Sequence, residues 1–152
     1  MAKLLRDDET LGELLPGGIW TRQIMPNSNP AGTDPTPGST PDAFDHAGRI
    51  KRCAAVLYDD VSAVRNPVGP DSAYMGGVNI FLRCLPHETE KRKLHDAAER
   101  IIALCEGAVL TGTRGEGLVL SISARMMPTD DPNLPPAVVD MIRVQTDSVW
   151  RV

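Results

Sequence analysis

The histidines, carboxylates, thiols and glycines of this chain are tested first, because their spacing decides what chemistry they could carry. His87-Glu88-Thr89-Glu90-Lys91 begins like a zinc-binding H-E-x-x-H helix, but a lysine stands where the second histidine is needed. Without two ligands on one helix face the metal reading fails. The segment reads instead as an acidic first turn, which the helix macrodipole favours. Asp42, Asp45 and His46 place oxygen and nitrogen ligands within five residues and could hold a metal on a folded-back loop, but such residues are common in turns. The neighbours Asp59-Asp60 and Asp130-Asp131 point in opposite directions in an extended chain, so neither forms a shared carboxylate site. His95, Asp96 and Glu99 could serve only an enzyme whose site assembles from scattered residues. His95 and Glu99 share a helix face, but Leu94 and Ala98 beside them look core-facing, which leaves His95 at the edge of the apolar stripe. Gly112-Thr113-Arg114-Gly115-Glu116-Gly117 leads from a helix toward a strand, the reverse of a phosphate cradle. Cys53, Cys84 and Cys105 form no C-x-x-C pair and read as small buried hydrophobes in a reducing compartment. No catalytic, cofactor-binding or metal-binding residue is assigned, and the chain is read as a non-enzyme.

The elements that must position these residues follow from periodicity. Thr10-Leu11-Gly12-Glu13 has the form of a capping box, with Leu11, Leu14 and Leu15 as an apolar face and Leu4 and Leu5 as an upstream extension. Pro16-Gly17-Gly18 stops that short helix. Strands are expected over 19–24, 50–58 and 78–85, the second covered on both faces because Cys53-Ala54-Ala55-Val56-Leu57 is nearly continuously apolar. A main helix over 88–105 places Leu94, Ala97, Ala98, Ile101, Leu104 and Cys105 on one stripe, with Gly107 just past its end. A fourth strand puts Leu118, Leu120 and Ile122 on one face and Ser121, Ser123 and Arg125 on the other. A loop rich in proline follows, and a last strand over 138–149 pairs antiparallel with it. The expectation is a single α+β domain over 1–152, with a mostly antiparallel four- to five-stranded sheet, two helices on one face and long Pro-rich loops.

Composition sets the outer limits. Of 152 residues, 41% are apolar, enough for one core, and Trp, Tyr and Phe occur only twice each, so aliphatic side chains must do most of the packing. A formal net charge of -4 argues against nucleic-acid recognition, which calls for a basic patch. The start, Met-Ala-Lys-Leu-Leu-Arg-Asp-Asp, lacks the apolar region of a signal peptide. No apolar run approaches the roughly 20 residues needed to cross a bilayer. Synthesis in a cytoplasm, without a membrane partner, is expected.

Two connections, 25–48 and 60–77, are long for a compact domain. Fixing about 24 residues of the first costs on the order of 24–48 kcal/mol of backbone entropy, somewhat less with its five prolines. Its apolar content (Met25, Ala31, Ala43, Phe44 and Ala47) is too thin to offset that by burial alone. Extended, it could reach ~70 Å, against a domain radius near ~15 Å. It is therefore expected to pack across a subunit boundary, with an ordered Ω-type loop folded on its own domain as the alternative. The candidate interface residues are Trp20, Met25, Phe44, Tyr74 and Met75 as apolar anchors, with Arg22, Arg49, Lys51 and Arg52 supplying charge complementary to acidic neighbours.

The short leucine helix ending in Leu15-Pro16-Gly17-Gly18, followed by Ile19-Trp20-Thr21-Arg22, resembles the opening of the tail-terminator and tail-completion proteins of long-tailed bacteriophages. The likeness continues through Ala54-Ala55-Val56-Leu57-Tyr58-Asp59, then Val78-Asn79-Ile80-Phe81-Leu82-Arg83 running into the helix, and two closing strands. It covers most of the chain from Leu11 to Val149 and is one of element order and apolar pattern. The resemblance implies a subunit without cofactors that forms a ring, a hexamer, on the last ring of the tail tube. Such a ring joins tube to neck at the tail–neck junction of the virion, with the tail-tube protein and a neck or head-completion protein as partners. The loops at 25–48 and 60–77 are longer than the family pattern. A neck or head-completion protein is the alternative, and a small non-viral adaptor module using the same loops is another.

Overall fold

The computed structural model describes residues 1–21, 35–38, 40–58, 75–111 and 117–149. Within them lie α1 (Ala2–Arg6), α2 (Glu9–Leu14), β1 (Ile19–Thr21), a 3-10 turn (Pro41–Ala43), β2 (Cys53–Tyr58), β3 (Met75–Cys84), α3 (Glu88–Cys105), β4 (Val109–Thr111), β5 (Gly117–Asp130) and β6 (Val138–Val149). The strands form one sheet in the order β1-β2-β3-β6-β5-β4. β1 runs parallel to β2, with Trp20 opposite Ala55, and every other pairing is antiparallel. Among the described residues the sheet is therefore mixed, with one parallel pairing in an otherwise antiparallel order, and has six strands rather than the expected four or five.

α3 forms where the apolar stripe demands it. Leu94, Ala97, Ala98, Ile101 and Cys105 are buried and pack against Ala54, Val56, Ile80, Leu82, Leu120, Ile142 and Val144 from one face of the sheet. Gly107 takes a φ of 73° just beyond the helix, a conformation that costs a glycine little. Leu5, Leu11 and Leu15 from the two N-terminal helices enter the same cluster. Those helices are two rather than one. Asp7 is the C-cap of the first, and Asp8, in an extended conformation, caps the second by accepting the Leu11 N–H at 2.9 Å. Thr10 thus lies inside α2 instead of capping it. Arg100 of α3 reaches back to Asp8 at 2.6 Å and ties the N-terminal pair to the main helix.

β2 is buried from Cys53 to Val56, as its continuous apolar run requires. It begins later than expected, because Ile50 pairs instead with Phe44 in an isolated bridge. β5 extends through Pro128 to Asp130. Proline is tolerated there because β4 covers only residues 117–119, which leaves the later part of β5 at the margin of the sheet. Two register breaks, between Ile122 and Ala124 and between Met126 and Thr129, interrupt its ladder with β6. The first inserts an extra residue and reverses the side-chain alternation. Arg125 then stands opposite Ile142, on the α3 face that the strand pattern had assigned to Leu120 and Ile122.

That reversal creates a polar cluster under α3. Arg125 donates to Glu99 and lies 3.0 Å from His95 Nδ1. Its Nη2 stands 3.5 Å from a carboxylate oxygen of the fully buried Asp140, and neither Asp140 oxygen makes a well-formed hydrogen bond. Burial pushes the Asp140 carboxyl above the usual carboxylate range, and Arg125 offsets only part of that. A raised folded-state pKa contributes its stability fully below the unfolded pKa and loses it as pH rises through the folded value. Asp140→Asn is therefore expected to raise the melting temperature at pH 7. The advantage over the wild type should shrink as pH falls toward about 4. A melting curve series showing a constant or widening gap on acidification would contradict this assignment.

Candidate interaction surface

The sheet has a second face, away from α3. Register places Trp20, Ala55, Phe81, Met141 and Met126 in one row across five strands on this face. Among the described residues no α-helix covers that row. Trp20, Phe81 and Met141 are half-buried, and Met126 is 49% exposed. Met127 beside it is 66% exposed. Arg83 stacks over the Phe81 ring with its guanidinium carbon 5.7 Å from the centroid. The same guanidinium is paired with Asp131 at 2.7 Å, with 4% and 2% of the two side chains exposed.

At the end of this face where β6 begins, the chain folds back to make a second, smaller apolar cluster of Ala43, Ile50, Cys53 and Ala137, with Trp20, Phe44, Leu85 and Leu134 against it. The 40–52 segment is held locally. Asp45 accepts the N–H groups of Ala47 and Arg49 and the Arg49 Nε at 2.9, 2.8 and 2.9 Å. These bonds hold its carboxyl below the usual range. Gly48 supplies the positive φ of 74° that closes the loop, and the Lys51 N–H donates to the Ala43 carbonyl at 2.8 Å. Between this segment and the loop before β6 lies an apolar groove of about 210 Å³, lined by Phe44, Ile50, Leu85, Leu134, Pro135 and Pro136, with Arg49 at its rim.

The interface residues expected from sequence are placed unevenly. Phe44 and Arg49 come together at the groove, and Lys51 is half-buried beside it. Trp20 lies half-buried behind them and its indole N–H donates to the Gly17 carbonyl at 2.7 Å. Arg52 is corrected. Only 9% exposed, it donates to the Leu14 carbonyl at 2.7 Å and to Glu90 at 2.6 Å, so it pins α2 to the first turn of α3 rather than offering charge to a neighbour. Met75 opens β3 opposite Asp147, while Arg22, Met25 and Tyr74 lie outside the described residues. The C-terminal part of the 25–48 connection is packed on its own domain, with Thr40 and Ala43 fully buried. Leu85, Leu134, Pro135 and Pro136 were not singled out by sequence. Their signal was only a pair of prolines before a strand.

Among the described residues no group of three His, Cys, Asp or Glu side chains is placed to hold a metal. The three thiols are buried and free, and burial pushes Cys53 and Cys84 up to about 12 and Cys105 to about 11, far from a reactive thiolate. His87 precedes α3 as its N-cap without a side-chain capping bond, with Glu88 and Glu90 in the first turn. Among the described residues no helix is long and apolar enough to cross a membrane.

No family model matches the chain, and no curated protein matches it. A solved structure bearing only a serial label is similar over 99% of this chain and 93% of the other, with a TM-score of 0.59 and 16% identical residues. At that identity the likeness shows a shared fold and nothing further: the chain adopts an α+β architecture that another protein also uses along nearly its whole length.

Proposed function

We propose that the chain is a structural subunit of a long-tailed phage virion, a tail terminator that closes into a hexameric ring on the last ring of the tail tube and joins it to the neck. The observation that carries this reading is that, among the described residues, helices cover one face of the sheet. The three α-helices of those residues contribute to one core. The opposite face presents a row of apolar side chains ending in the exposed Met126 and an apolar groove rimmed by Arg49. Exposed large apolar residues beside a preformed groove are the usual anchors of protein contacts. A ring of identical subunits needs two different patches on each copy, one meeting the other with a rotation that closes. The element order and the Leu15-Pro16-Gly17-Gly18 opening support the phage family in particular.

The reading is tested by adding the purified protein to polymerising tail-tube protein of the same virus and measuring tube lengths by electron microscopy. Shorter tubes capped by an extra ring are expected. An unchanged length distribution, with no density at tube ends, would reject the terminator role. Binding to a head-completion ring in place of the tube would move the protein to the neck.

A further inference from the structure

The groove at the start of β6 needs an occupant, and the chain carries one at the other end of the same strand. β6 runs twelve residues from Val138, beside the groove wall, to Val149, a span of about 37 Å at strand rise. Residues 150–152, Trp-Arg-Val, follow Val149 and lie outside the described residues. A single residue advances at most about 3.6 Å. Trp150, bonded to Val149, is therefore out of reach of the groove of its own subunit.

We propose that Trp150 of one copy docks in the groove of the next. This rests on the ring reading above and supplies the two unlike patches that a head-to-tail ring requires. The groove's size fits one large side chain: about 210 Å³ is smaller than the roughly 300–1,000 Å³ of small-molecule pockets. Its walls suit an aromatic ring, since Phe44, Leu134, Pro135 and Pro136 offer apolar surface and prolines lose little freedom on binding. Arg49, held by Asp45 through Nε at 2.9 Å, stands at the rim where a guanidinium can lie over an indole. The other tryptophan, Trp20, is already packed within its own subunit and hydrogen-bonded to Gly17.

A fluorescent peptide of residues 145–152 added to the full-length Trp150→Ala protein tests the docking. Saturable binding is expected, at least tenfold weaker when the peptide's own tryptophan is alanine. It should weaken similarly when the protein also carries Leu134→Glu or the exposed rim change Arg49→Glu. Thermal melts confirm that each protein variant is folded. No saturable binding, or binding to both groove variants as tight as to the Trp150→Ala parent, overturns the proposal. In full-length chains, mixing Trp150→Ala protein with Leu134→Glu protein should give a one-to-one dimer and nothing larger, because only one groove and one tail remain competent. Peptide docking without tube capping would reject the ring reading alone. Rings that persist unchanged in the Trp150→Ala protein would reject the docking alone.

Discussion

Replacing Asp131 with alanine is expected to destabilise the fold by about 3–5 kcal/mol, the cost of breaking a buried ion pair from one side. Asp131 and Arg83 meet at 2.7 Å with almost no exposure, so no solvent stands ready to replace the lost carboxylate. Asp131 also accepts the Asn133 N–H at 2.9 Å, and its own N–H donates to the Ala137 carbonyl at 2.9 Å. It therefore shapes the loop that carries Leu134, Pro135 and Pro136. Asp131→Asn keeps a side chain able to make the turn and removes only the charge, so it should fall between wild type and alanine. The double change Arg83→Met with Asp131→Leu should recover much of the loss, since desolvating two charges costs nearly what their attraction returns. Urea denaturation gives the comparison, and an alanine variant within about 1 kcal/mol of wild type would show the pair to be dispensable.

Ile101→Ala is expected to cost about 2–5 kcal/mol, through lost burial and the cavity left behind. Ile101 is fully buried in the C-terminal half of α3, in the cluster that joins the helix to Leu82 and Ile142 of the central strands. Both sides of the site are regular secondary structure, so neither can collapse far into the gap. The melting temperature should drop on the order of 10 °C for a chain of this length. Ile101→Val removes one methylene and should cost about 0.5–1.5 kcal/mol. Equal losses for the two variants would mean that the residue acts through helix propensity rather than packing.

The legible parts of this fold were those with a long, unbroken period. The expected helix over 88–105 matches α3 because its stripe repeats over about three turns from Leu94 to Cys105, and β6 over 138–149 stands where it was expected. β4 has three residues and no pattern to read. Arg125 was placed on the wrong face because a bulge inserts one residue without any mark in the sequence. Arg52 looked like a surface charge. Its burial could be inferred only by knowing that Leu14 and Glu90, each 38 residues away, would meet it.

The parallel pairing of β1 with β2 was not legible either, and it calls for a return connection of a dozen residues or more between the two strands. The groove was hidden for a related reason: its walls come from three separated segments, around 44–50, at Leu85 and at 134–136.

The parallel pairing of β1 also makes the molecule divisible. The first 21 residues enter the body as a wedge: Leu5, Leu11 and Leu15 fill the core, Asp8 meets Arg100, the Leu14 carbonyl receives Arg52, and β1 zips onto β2. All of these ties are noncovalent, and none runs through the connection that follows. A nick between Thr21 and Pro35 would cut the chain while sparing every one of them. The N-terminal piece would then behave as a tethered ligand set free, held by its own affinity and lost on dilution.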